Sequence, residues 1–127
     1  MIYIGFILFL ISGICEAVMD KIQFHYDSSI FKRFKNQLFL DPRESWRNKY
    51  ENGDPLAGEK FFLSKSLLVG FTDAWHLFKL FRTFFIFACI YFLFIPCGSK
   101  MECFFFVIIA IVIFGLSFTF FFNKFDN

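Results

Sequence analysis

Apolar and polar positions divide the chain into blocks. Apolar runs at Ile2–Met19 and Phe84–Ile95 flank a polar middle, and a third run, Cys103–Phe122, lies near the end. An α-helix rises about 1.5 Å per residue and needs about 20 apolar residues to cross a bilayer. The first and third runs meet that length. The stretch Phe61–Ile95 is too long for one simple span. Its first half, Phe61–His76, mixes Ser64, Lys65, Ser66, Thr72, Asp73 and His76 with apolar residues. Its second half, Leu77–Ile95, is nearly pure hydrocarbon after Lys79 and Arg82. This pattern predicts an interfacial or tilted helix that enters the membrane near His76, with a break at Gly70. Lys79 and Arg82 would snorkel back to the headgroups. Three spans follow, at about 2–20, 76–95 and 103–122, in a single integral membrane domain over residues 1–127. The fold class is all-α, a polytopic helical membrane protein with an amphipathic interfacial connector over 21–75. No Lys or Arg precedes the first run, and no small-x-small site follows it. It therefore reads as a retained span and not a cleaved signal.

The connector carries its own helix signals. Ser28 or Ser29 can cap a helix running to about Phe39. On it Ile30, Phe31, Phe34 and Leu38 share one side, while Lys32, Arg33 and Lys35 fall elsewhere. That is the pattern of a basic amphipathic helix on an anionic membrane surface. Asp41-Pro42-Arg43-Glu44 reads as cap, first-turn proline and capping-box acid, opening a short helix to about Tyr50. Asn52-Gly53 and Asp54-Pro55 mark turns, as does Pro96–Lys100.

Composition supports a bilayer setting. Apolar residues make up 57% of the chain and Phe alone supplies 25 positions. A soluble domain this small has too much surface for its volume to hide them. The net charge of +2 is uninformative, but its distribution is not: 11 of the 13 Lys and Arg lie between Lys21 and Arg82. Seven acids, from Asp20 to Glu59, are interspersed with these bases, which argues against a nucleic-acid face. The basic excess is a topology signal instead. It places residues 21–82 and the C-terminus with Lys124 in the cytoplasm, and the N-terminus and the Pro96–Lys100 loop outside. Among the cysteines, Cys15 and Cys89 are apolar fillers inside the runs. Cys97 and Cys103 flank a loop, where a disulfide and a pair of free thiols are equally compatible with the spacing. No Cys-x-x-Cys pair is present.

The borders of the first two runs carry the candidate chemistry. Glu16 and Asp20 stand four apart on one helix face at the end of span one. Asp73 and His76 stand three apart at the start of span two. Antiparallel neighbours would bring both pairs to one depth. Carboxylates and imidazole in this arrangement suit a divalent transition metal, with Glu16, Asp20, Asp73 and His76 as ligands. His25 would be a fifth ligand or a catalytic general base. Such an ion could activate water against a lipid-like ester or phosphate. Against this stands simple ion pairing with Lys21, Lys79 and Arg82, beside Tyr26 and Trp75 as aromatic-belt anchors. No Gly-x-Ser-x-Gly elbow and no Gly-rich phosphate loop is present.

Three blocks are distinctive: Glu16-Ala-Val-Met-Asp20-Lys-Ile-Gln-Phe-His25-Tyr, Ser45-Trp46-Arg-Asn-Lys-Tyr50 and Thr72-Asp73-Ala-Trp75-His76-Leu-Phe. Over residues 12–82 the chain resembles a set of small membrane proteins of Bacteroidota and their mobile elements. That set has no known activity, so the resemblance implies a bacterial inner membrane and transfers no mechanism. Two function classes are therefore carried forward. One is a non-enzymatic membrane component, contacting the bilayer and a membrane-protein partner or a second copy of itself. The other is a metal-dependent membrane hydrolase acting on a lipid-like substrate at the cytoplasmic interface.

Overall fold

The apolar runs form three long helices. The computed structural model describes residues 1–126. Helix α1 spans Ile2–Phe24, the connector holds two one-turn helices, α2 (Gln37–Leu40) and α3 (Pro42–Ser45), and the chain continues through α4 (Ala74–Phe94) and α5 (Lys100–Lys124). Helices α1, α4 and α5 are each long and apolar enough to cross a membrane. Their starts and stops follow local chemistry. Asp73 caps α4 by accepting the backbone N–H of His76 at 2.9 Å. Ser99 and Glu102 form a reciprocal capping box on α5. Pro96 closes the turn between α4 and α5, where Cys97 and Cys103 are joined as a disulfide.

Helix α1 is the axis of the bundle: it packs on both α4 and α5, which touch each other little. Two apolar clusters mark its ends. Cys89, Leu93 and Ala110 meet Ile2, Phe6 and Phe106 at one end. Val18, Ile22 and Ala74 meet Phe31, Trp75 and Phe125 at the other. Helix α1 therefore runs antiparallel to α4 and parallel to α5. The connector and the C-terminal tail share one end, and the N-terminus shares the other with the disulfide turn. Small residues let the helices close up, as expected where apolar burial against lipid gives little drive. A Cβ on Gly13 would sit 1.9 Å from Ser117 Oγ and 2.7 Å from the Phe114 carbonyl oxygen, and one on Gly5 would meet Leu93 Cδ2 at 2.7 Å. The outer faces of α4 and α5 expose Phe84, Phe87, Tyr91, Phe104, Leu116 and Phe120. With every backbone group satisfied inside a helix, such faces suit contact with lipid.

The connector departs from the sequence reading in two places. The expected amphipathic helix from Ser28 to Phe39 is broken into 3₁₀ turns at Tyr26–Ser28 and Ile30–Arg33 and the short α2. The reason is tertiary. Ile30 N–H, a first-turn donor that a helix leaves free, donates to the Phe125 carbonyl at 3.0 Å, and Ser29 bridges to Asp126, pinning the segment to the C-terminal tail. Gln37 adds side-chain amide bonds to the carbonyls of Lys32 and Phe34. The expected interfacial helix over Phe61–His76 is absent up to Asp73, and only Ala74–His76 are helical, as the start of α4. The rest of the stretch is a series of turns, with Leu63 at φ 59°, followed by a 3₁₀ turn at Val69–Phe71. Ser64 donates its hydroxyl to the Lys49 carbonyl at 2.8 Å, tying the stretch to the α3 region and away from a helical path. A Cβ on Gly70 would meet Leu80 Cδ2 of α4 at 3.4 Å. The cap and proline signals at Asp41-Pro42 hold, but Glu44 closes no capping box: its carboxylate pairs with Arg47, and the Asp41 N–H goes to the Gln37 carbonyl. Asp41 caps α3 through the Arg43 N–H at 2.9 Å, with Pro42 in the first turn, and a 3₁₀ turn continues to Lys49. Asn52 (φ 53°) and Gly53 (φ 74°) make the turn beneath the Tyr50–Glu59 bridge.

Gly13→Ala should lower the thermal midpoint of the protein in detergent, by about 1–3 kcal/mol of stability, because Ser117 and the α5 backbone must move. Gly115→Ala, where an added Cβ meets nothing within 4 Å, should leave the midpoint unchanged or raise it slightly.

Candidate functional site

Matched spacing brings the first pair of charges together. Glu16 lies eight residues before the end of α1, and Arg82 lies eight residues after the start of α4. In antiparallel neighbours both therefore sit about 12 Å from the connector end. They form an ion pair across the helix interface, Arg82 Nη1 donating to Glu16 Oε2. The side chains are only 24% and 28% exposed. Taking two charges out of water is costly, and the pair recovers that cost only while both partners are present. The Arg82 Nε is buried without a hydrogen-bond partner among the described residues.

The second pair belongs to the start of α4. Asp73 is 4% exposed. It accepts His76 Nδ1 at 2.7 Å, the His76 backbone N–H at 2.9 Å and the Thr72 hydroxyl at 3.2 Å. Burial alone would push the Asp73 carboxyl up. The bonds from the His76 ring and backbone, the His76 charge and the Thr72 hydroxyl outweigh it and hold the group below its ordinary value. Asp73 is thus committed to capping α4 and orienting the imidazole. On the connector, the Arg43 side chain bonded to Asp41 holds that carboxyl low as well.

The four expected metal ligands are therefore divided and not gathered. Glu16 goes to Arg82 and Asp73 to His76, while Asp20 makes no hydrogen bond or ion pair among the described residues. Among those residues, no three His, Cys, Asp or Glu side chains are placed to hold one metal ion. The physical reason is competition: a guanidinium at matched depth and a helix N-terminus each take the carboxylate that lies beside them. His25 stands apart from the dyad. It ends α1, and its ring meets Phe122 of α5 edge-on at 5.4 Å.

Two features had little or no sequence signal. Lys21 is 2% exposed, ion-paired with Asp126 and 3.7 Å above the Phe122 ring. Its partner is 105 residues away, so no local pattern announces it. The second is a cleft of about 220 Å³ between α3 and the start of α4, onto which Asp73 and His76 open beside Ser45, Trp46, Lys49 and Trp75. The blocks Ser45–Tyr50 and Thr72–Phe78 are distinctive in sequence, but nothing in them signals that the two segments meet.

Set against known proteins, the chain matches no family model, no curated protein and no solved structure.

Glu16→Gln should destabilise the protein by about 2–3 kcal/mol in a detergent unfolding assay, since it leaves Arg82 charged and unpaired. The Glu16→Met/Arg82→Met double variant should recover most of the loss. The Asp73 carboxyl also sets an acid limb. Its folded value is depressed, so its contribution is complete above the unfolded value of about 4 and is lost as pH falls through the folded one. An Asp73→Asn variant should lose stability at neutral pH and show a flatter stability profile below pH of about 4.

Proposed function

We propose that the chain is a non-enzymatic component of a bacterial inner membrane, a small subunit or assembly partner. Its three helices anchor a folded connector at the cytoplasmic face. The observation that carries this reading is the pairing of Glu16 with Arg82. The acid hardest to reconcile with a purely apolar span is spent on joining two helices. The dyad of Asp73 and His76 is spent largely on starting α4. The exposed aromatic faces of α4 and α5 supply surface for lipid, a membrane-protein partner or a second copy.

Orientation follows from charge. With 11 of 13 Lys and Arg between Lys21 and Arg82, the connector and the C-terminal tail belong in the cytoplasm, and the N-terminus and the turn at Pro96 belong outside. The disulfide between Cys97 and Cys103 suits an oxidising compartment on that outer side. The resemblance to membrane proteins of Bacteroidota agrees with a bacterial inner membrane. The alternative, a metal-dependent hydrolase of lipid-like substrates, needs Glu16, Asp20, Asp73 and His76 around one ion. The commitment of Glu16 to Arg82 works against it.

Metal content per chain separates the two. Tag-free protein incubated with Zn²⁺ or Mn²⁺ and desalted should hold well under one ion per chain, equally in wild type and His76→Ala. Near-stoichiometric metal in the wild type, lost in His76→Ala, would overturn the anchor reading in favour of the hydrolase.

A further inference from the structure

The cleft between α3 and α4 has walls that the anchoring role leaves unused. Its position is set firmly. Asn48 donates its side-chain amide to the carbonyls of Leu38 (2.7 Å) and Thr72 (2.9 Å), tying the α3 region to the start of α4. Trp46 is held by its indole N–H donating to the Arg43 carbonyl at 2.9 Å. The Lys49 carbonyl accepts from both Ser64 Oγ and the Lys60 N–H, at 2.8 and 3.1 Å. The Lys49 backbone is thus fixed while its ammonium is spare: it makes no ion pair or hydrogen bond among the described residues. Ser45 is 7% exposed. Its hydroxyl also bonds to no described residue, and the residue lines the cleft. Unbonded within the described residues, the hydroxyl is free to donate to a ligand in the cleft.

The sign of the missing partner follows from what is already satisfied. Asp73 is the acid that lines the cleft, and its oxygens are taken up by His76 and Thr72. That same contact engages His76 Nδ1; the doubly protonated ring forms an ion pair with Asp73 and keeps an Nε2–H to donate to a ligand. Gln23, at the rim, contributes a neutral amide. With Asp73 paired to the protonated His76 ring, Lys49 is the uncompensated charge, accompanied by hydroxyl, imidazolium and amide groups. That set recognises an oxyanion.

Depth narrows the class further. The cleft is framed by the last turn of α1, at Ile22 and Gln23, and the first turn of α4, at Trp75 and His76. This is the level of the headgroups, where tryptophans favour one wet and one apolar side. We propose that this cleft binds the phosphate of an anionic phosphate ester, with Lys49 supplying the charge and Ser45 and His76 the hydrogen bonds. The phosphate can come from a lipid headgroup at the interface or from a free cytoplasmic anion. The oxyanion site rests on the cleft's own groups, and the two sources of phosphate rest on the membrane placement proposed above.

Both tryptophans of the chain, Trp46 and Trp75, line this cleft, so intrinsic fluorescence reports on it alone. The full chain in phosphatidylcholine nanodiscs is titrated with inorganic phosphate against sodium chloride of equal ionic strength. A parallel set of nanodiscs carries increasing phosphatidylglycerol. A saturable emission change with phosphate identifies a free anion, and one confined to phosphatidylglycerol identifies a headgroup. Either should weaken about tenfold or more in Lys49→Gln, the loss expected for a charge-assisted bond. If Lys49→Gln does not fold by circular dichroism, Ser45→Ala serves, with an expected loss of roughly threefold to tenfold. No saturable change with either probe overturns the proposal, as does unchanged affinity in the folded variant.

Discussion

A carboxylate placed inside an apolar helix must find a cation at its own depth, and much of this molecule is arranged around that demand. Glu16 lies on α1, the helix that touches both of the others. Its partner Arg82 lies on α4 at the same distance from the connector end. Pairing them sets the vertical register of α4 against α1. That register places Ala74 against Val18 and Ile22 and brings the Asp73 cap to the last turn of α1. The cap in turn orients His76 and leaves the α3 segment to close over it. One ion pair thus links the packing of the spans to the shape of the cleft.

The long elements were legible because a bilayer imposes a simple rule: about 20 apolar residues make a span. The spans at 2–20 and 103–122 sit inside α1 and α5, and the span at 76–95 overruns α4 by one residue. Local chemistry was legible too. Asp41-Pro42 opens α3 and Asn52-Gly53 makes a turn, because these signals act within four residues. The two misread stretches lie where distant partners decide. The apolar side of Ile30, Phe31 and Phe34 has helical spacing, yet the segment is pinned to the tail at Phe125 and Asp126, and the Gln37 amide takes the Lys32 and Phe34 carbonyls that a helix would use. Ser64 is drawn to Lys49 in the same way.

The candidate site was half legible for the same reason. Spacing placed Asp73 and His76 on one face, and they are in contact. Spacing also placed Glu16 and Asp20 together, but the sequence could not rank Arg82 against His76 as the partner of Glu16. That choice depends on helix register, which three long apolar helices leave undetermined until they pack. Lys49 and Ser45 carried no signal as a pair with His76, because the cleft exists only once α3 folds back over α4. Lys21 and Asp126 illustrate the extreme, a buried ion pair between the first helix and the tail.

The central claim is that α1, α4 and α5 cross a membrane, with the connector and tail at one face and the disulfide turn at the other. Single thiols at Ser66, Lys124 and Lys100, in a background with Cys15 and Cys89 replaced by Ala and the Cys97–Cys103 bond left oxidised, test it directly. With a membrane-impermeant maleimide on intact cells, Lys100→Cys should label at once. Ser66→Cys and Lys124→Cys should label only after the membrane is opened. Labelling of Ser66→Cys and Lys100→Cys from the same side would contradict the account.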